Sequence, residues 1–192
     1  MFIFVSNQNI KIIKNVVSIV ALIYVITFTS CIQNSTSEIP SNGFVSGTDF
    51  QVKMGSSESV EVFKQLDAAW AKLDYEKMKT FIADKASLSF HDGFIATTPQ
   101  EFVDKIKEEV ARAQAEGNNY EWTTDYAFAL ALTDDGSKDT TNDLGDWVNA
   151  QFTTKPTNPD SEIDSEVFYE YYHIIDGKVT QWNQFKKTIK KK

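Results

Sequence analysis

The chain has 192 residues, with 19 Lys and Arg against 27 Asp and Glu, a formal net charge of −8, one cysteine and two histidines. This acidic balance argues against nucleic acid and anionic membrane faces as partners of the folded part, since both call for cationic patches. A lone cysteine excludes an intramolecular disulfide, and two histidines far apart in the chain supply no metal-ligand spacing, so neither metal nor cofactor is expected.

Lys11 and Lys14 precede an almost wholly apolar run, residues 16–28, which leads into small Thr29 and Ser30 and then Cys31. The run has the length of a secretory apolar region and falls short of the roughly 20 residues that span a bilayer comfortably. This order resembles a bacterial lipoprotein signal peptide, in which the cysteine is lipidated and becomes the new N-terminus. Phe28 departs from the Leu, Val or Ala usual at its place. The resemblance implies a signal over residues 1–30, lipidation at Cys31, and a domain anchored to a membrane of the bacterial cell envelope, facing the periplasm or exterior. An uncleaved anchor and an ordinary secretory signal are the alternatives, and each puts the remainder across a membrane. Loss of residues 1–30 removes two lysines and no acid, which moves the formal charge from −8 to −10.

Residues 31–55 are rich in Ser, Asn, Gly and Thr and read as a flexible tether. Residues 56–187 then have the size of one domain with a single core, and residues 188–192 read as a basic tail. Ser57 can cap a first helix, whose apolar positions Val60, Phe63, Leu66, Trp70 and Leu73 recur at helical spacing. Asp74 can cap a second, short helix carrying Tyr75, Met78, Phe81 and Ile82. A strand over residues 87–91 meets Asp92-Gly93, the pair that a tight type I′ hairpin prefers. Thr98-Pro99-Gln100-Glu101 starts a third helix, with Thr98 as cap and Glu101 closing a capping box, and Gly117 can end it.

Beyond Gly117 the period becomes two. Tyr120, Trp122, Tyr126, Phe128, Leu130 and Leu132 share one face of a long strand, and Ala127, Ala129 and Ala131 lie on the other. Further strands are expected over 146–154, 166–175 and 179–186, the last two joined through Asp176-Gly177. Helices segregated from a run of antiparallel strands predict an α+β domain with the helices on one sheet face.

The stretches WAKLDYEKMKTFIADKASLSFHDG (residues 70–93), TPQEFVDKIKEE (98–109), DWVNAQF (146–152) and YHIIDGKVTQW (172–182) carry a family resemblance. They resemble the SnoaL-like family of the nuclear transport factor 2-like superfamily. The resemblance implies a cone-shaped, cystatin-like fold, a curved antiparallel sheet wrapped around a helix pair with a pocket inside. It implies no single activity, because members include isomerases, cyclases, dehydratases and transport adaptors.

In the isomerase and cyclase branches an aspartate near the first strand abstracts a proton beside a carbonyl, and the nearest counterparts here are Asp92 and His91. Asp92 next to Gly93 is equally what a turn requires. His173, in the tyrosine-rich run 168–173, is the third catalytic candidate. A two-residue loop at Asp176-Gly177 sets Glu170 opposite Asn183, and one sheet face then offers Glu170, Tyr172, Gln181 and Asn183 among apolar neighbours. That pattern fits a small-molecule pocket, and it also fits a polar cluster on a solvated or dimer-forming face. The acidic run from Asp134 to Asp143 lacks the spacing of a calcium loop and reads as a hairpin connection. The expected function is therefore a lipid-anchored, non-catalytic domain that binds a small apolar or aromatic molecule or an envelope protein. An isomerase, cyclase or dehydratase, and an assembly protein acting as a homodimer through the outer sheet face, are the alternatives.

Overall fold

The computed structural model describes residues 43–133 and 144–192. The signal segment, Cys31 and the acidic run 134–143 lie outside the described residues. Eight strands are seen, β1 (Gly43–Phe44), β2 (Gln51–Met54), β3 (Ile82–Ser89), β4 (Ile95–Ala96), β5 (Thr123–Thr133), β6 (Asp146–Thr154), β7 (Ile163–Ile175) and β8 (Lys178–Lys190). Three helices accompany them, α1 (Ser57–Ala71), α2 (Tyr75–Lys79) and α3 (Pro99–Ala115). The strands form one curved, unclosed sheet in the order β1-β2-β5-β6-β7-β8-β3-β4. Neighbours are antiparallel except β3 and β8, which run parallel. The molecule is thus α+β, with the helices on one face of the sheet.

The helices begin where local chemistry allows. Thr98 accepts a bond from the Glu101 amide at 3.2 Å, and the Glu101 carboxylate reaches back to the Thr97 amide at 2.7 Å, a capping box displaced by one residue. Asp74 caps α2 as its sequence suggests. The cap of α1 is Ser56 rather than Ser57, and a distant residue decides this. The Asp146 carboxylate of β6 accepts from the Ser56 amide at 2.9 Å, from the Ser59 hydroxyl at 2.7 Å and from the Ser56 hydroxyl. A buried carboxylate at a helix N-terminus complements the unpaired amides and the dipole there.

The core lies between helices and sheet. Phe63, Leu66 and Trp70 of α1, Met78 of α2, and Phe102, Val103 and Ile106 of α3 pack against Leu88, Val148, Tyr172, Val179 and Trp182. Trp182 stands edge-on to Phe90 at 4.8 Å and to Phe102 at 5.3 Å between ring centroids, the arrangement that aromatic quadrupoles favour. Small Ala127, Ala129 and Ala150 on the inner sheet face leave room for α1.

Bulges decide which side chains face inward, and they account for most departures from simple alternation. An extra residue at Asp125 turns β5 over, so that Trp122 faces the same way as the alanines. Tyr126 and Phe128 consequently point outward and are exposed, instead of sharing a face with Trp122. At Asp176-Gly177 both residues have positive φ, as a type I′ turn requires. The first hairpin differs: only Gly93 has positive φ, and Phe90 and Phe94 bond across a three-residue loop of the type I plus bulge kind. The stretch read as a tether contributes β1 and β2, because residues 51–54 add to the open edge of β5 through main-chain bonds that need no strong side-chain pattern. The basic tail likewise contributes to β8, which pairs with β7 as far as Lys190.

Candidate functional site

Between α1, α3 and the inner face of β5–β8 lies a cavity of about 500 Å³. Its floor is built on β7 and β8. Glu170, only 5% exposed, accepts from the Trp182 indole at 2.9 Å, from the Gln184 amide at 2.8 Å and from the Tyr172 hydroxyl. The Gln184 carbonyl in turn accepts from His91 Nδ1 at 2.7 Å. The turn after β3 is thereby tied to the floor, with Nδ1 as the donor, since an amide oxygen only accepts. Burial pushes the Glu170 carboxyl above the usual range, against the pull of its three donors. Burial, reinforced by the Glu170 charge, also raises the Tyr172 hydroxyl.

The walls come from helices and loops. Asp67 of α1 holds the Trp122 indole at 2.9 Å and the Thr124 hydroxyl at 3.0 Å, which joins α1 to the start of β5. Tyr120, Phe152 and Phe168 add aromatic surface, and Lys155 and Lys186 also line the cavity. Lys186 pairs with Glu166 at 3.2 Å.

Two polar atoms in this wall stand apart. Trp70 Nε1 and Glu109 Oε1 are buried side-chain atoms with no hydrogen-bond partner among the described residues, and both residues line the cavity. The residues are 6% and 7% exposed. The Tyr120 hydroxyl lies close enough to Trp70 for the indole to favour its ionised form slightly, without the geometry of a hydrogen bond. The Arg112 guanidinium approaches Glu109 Oε1 to 3.6 Å, beyond hydrogen-bond range. Burial pushes the Glu109 carboxyl up, opposed by the nearby His91, Arg112 and Lys105. Burial and then the Glu109 charge push the half-buried Tyr120 hydroxyl up. Leaving a buried donor or acceptor unpaired costs roughly 1–3 kcal/mol, which sets these two atoms apart from the satisfied polar groups of the floor.

The residues singled out from the sequence are divided by the fold. Glu170 and Tyr172 meet on the cavity floor, and His91 lines the same space. Gln181 and Asn183 do not join them. An extra residue at Thr180 shifts the β7–β8 register, so Glu170 faces Gln184 and Tyr172 faces Trp182, while Gln181 and Asn183 pair with outward-facing His173 and Tyr171. His173 stacks on Trp147 at 4.5 Å and donates from Nε2 to the Leu144 carbonyl at 2.7 Å, away from the cavity. Asp92 stays in its turn, accepting from the Phe94 amide at 3.0 Å and pairing with Lys105 at 2.8 Å. The hydrogen bond from Lys105 holds its carboxyl below the usual range, the reverse of what a proton-abstracting base in this cavity needs.

Glu109 and Gln184 escaped the sequence reading, and Trp70 was read only as a core position of the first helix. Glu109 had a legible signal, since it lies seven residues after Phe102 and three after Ile106, on the apolar stripe of α3. Gln184 had none, because its face depends on the bulge.

No family model matches the chain, and no curated protein matches it. Among solved structures it is similar to a steroid delta-isomerase from Pseudomonas aeruginosa, with TM-score 0.48 and 7% identity over 69% of this chain and 81% of that one. It is also similar to an LEH-like epoxide hydrolase from M. tuberculosis, with TM-score 0.45 and 10% identity over 69% and 84%. A third is a cystatin-fold protein from Novosphingobium aromaticivorans, with TM-score 0.46 and 14% identity over 68% and 99%.

Proposed function

We propose that this chain is a lipid-anchored, SnoaL-like domain of the bacterial cell envelope that holds a small, largely aromatic or apolar molecule in the cavity between its helices and sheet. The observation that carries the reading is the pair of buried atoms without a hydrogen bond, Trp70 Nε1 and Glu109 Oε1, facing one cavity. At about 500 Å³ the cavity falls within the range of small-molecule sites, about 300–1,000 Å³, and its aromatic walls with few polar groups match their usual lining. A binding role is favoured over acid–base chemistry at the floor because Glu170 is held by three donors. A catalytic reading rests instead on Glu109, whose carboxyl burial raises, with His91 lining the same space. Exposed Tyr126, Phe128, Tyr171 and Phe185 on the outer sheet face are where a second copy or an envelope protein would dock.

Native mass spectrometry of the chain purified without denaturation from its source cells tests the binding role. The reading expects an added small-molecule mass that leaves on gentle activation and is missing from an Ala113→Trp variant, whose indole fills the cavity. A wild-type chain carrying no more than the variant contradicts it.

A further inference from the structure

We infer that the ligand of this cavity is an organic cation, an ammonium group on a compact aromatic or alicyclic body, with its charge against Glu109 and its body against the Trp70, Tyr120 and Trp122 rings. The inference rests on the cavity being a ligand site and adds the ligand's charge.

Charge balance is the first argument. Six carboxyl-bearing residues line the cavity against three cationic ones. The cations are also placed where they contribute least: Lys155 is exposed, Lys186 is engaged by Glu166, and Arg112 is half exposed. By contrast, Asp67 and Glu170 are held by neutral indole, hydroxyl and amide donors. Among the described residues Glu109 Oε1 has no hydrogen bond and pairs only with the half-exposed Arg112 guanidinium at 3.6 Å. A carboxylate removed from water with so little compensation is costly, a cost that a ligand bringing further positive charge relieves. An anion entering here would meet more carboxylates than cations.

Independent support comes from the rings. Trp70 and Trp122 stand edge-on at 6.1 Å, and Tyr120 meets Trp122 at 5.9 Å. Their electron-rich faces attract a cation, most strongly when it is desolvated. Trp70 Nε1 is a donor without an acceptor, so an oxygen on the ligand body would add to the binding that the charge supplies without being required for it. The upward displacement of the Glu109 and Glu170 carboxyls has the same sense, since a site that favours a bound proton favours a bound cation.

Three probes with one phenyl body separate charge from shape: phenethylamine, neutral hydrocinnamamide and anionic hydrocinnamate, each titrated calorimetrically into the full chain. The amine is expected to bind at least about tenfold more tightly than the amide, and the anion most weakly. Glu109→Gln should abolish the amine's advantage, whereas Glu108→Gln, on the exposed face of the same helix, should keep it. Lowering the pH should weaken amine binding as Glu109 takes up a proton, and leave the amide unaffected. Equal binding of all three, preference for the anion, or an advantage that survives Glu109→Gln overturns the cation assignment while the cavity reading stands. Failure of every probe, together with an empty wild-type chain in the native spectrum, overturns both.

Discussion

Glu170 and Asp92 are carboxyls displaced in opposite directions, and the sign of each displacement fixes its effect on stability. The Glu170 carboxyl is raised by burial, so its contribution is fully present below the ordinary glutamate value of 4.5 and is lost as pH rises through the folded value. Glu170→Gln keeps the shape of the side chain and removes the charge. The melting temperature of this variant relative to wild type should therefore climb with pH above that ordinary value, and a flat difference would show that Glu170 does not titrate upward. Asp92 is the reverse case, lowered chiefly by its hydrogen bond from Lys105. Its contribution is present above the ordinary aspartate value of 3.8 and fades as pH falls through the folded value. In Lys105→Met the Asp92 carboxyl resonance should titrate at higher pH than in wild type, and an unchanged midpoint would contradict the pairing.

At the scale of elements, one long-range contact and a few bulges set the site. Asp146 ties the start of α1 to β6, and α1 carries Asp67 and Trp70 to the cavity. Asp146→Ala removes the acceptor shared by the Ser56 amide and the Ser56 and Ser59 hydroxyls, and is expected to cost about 1–2 kcal/mol in urea unfolding. A loss within experimental error would mean that α1 docks without it. The elements themselves were largely legible: the three helices, the strand over Asp146–Thr154 and the two-residue hairpin at Asp176-Gly177 follow from caps, periodicity and turn chemistry, whereas the type I′ turn expected at Asp92-Gly93 is a three-residue loop. The cavity floor was half legible. Glu170 and Tyr172 share a face by alternation alone, but their partners across the sheet depend on Thr180, an extra residue that no glycine or proline announces. A one-residue slip exchanges Gln181 and Asn183 for Trp182 and Gln184, because side chains alternate with a period of two. Strands β1 and β2 were illegible for another reason. They are too short to show a pattern and are specified by the edge they join.

For the molecule as a whole, the proposal joins an anchor to a receptacle. If the anchor is a lipid, intact-mass analysis of the membrane-purified chain should show a polypeptide beginning at Cys31 with a diacylglyceryl mass on it. A chain retaining residues 1–30, or cut there without lipid, would contradict the anchor and leave the cavity untouched. The cavity itself can be read through the chain's four tryptophans. Trp70 and Trp122 line it, Trp182 is bonded to its floor, and Trp147 stacks on His173 on the other side of the sheet. The most direct measurement is the indole proton–nitrogen spectrum of the labelled chain, before and after addition of a small-molecule extract of the source cells. A ligand in the cavity predicts a large displacement of the Trp70 signal, as its unpaired Nε1–H gains an acceptor, with a smaller one at Trp122 and none at Trp147. Displacement confined to Trp147, or no displacement of Trp70, would contradict the central claim.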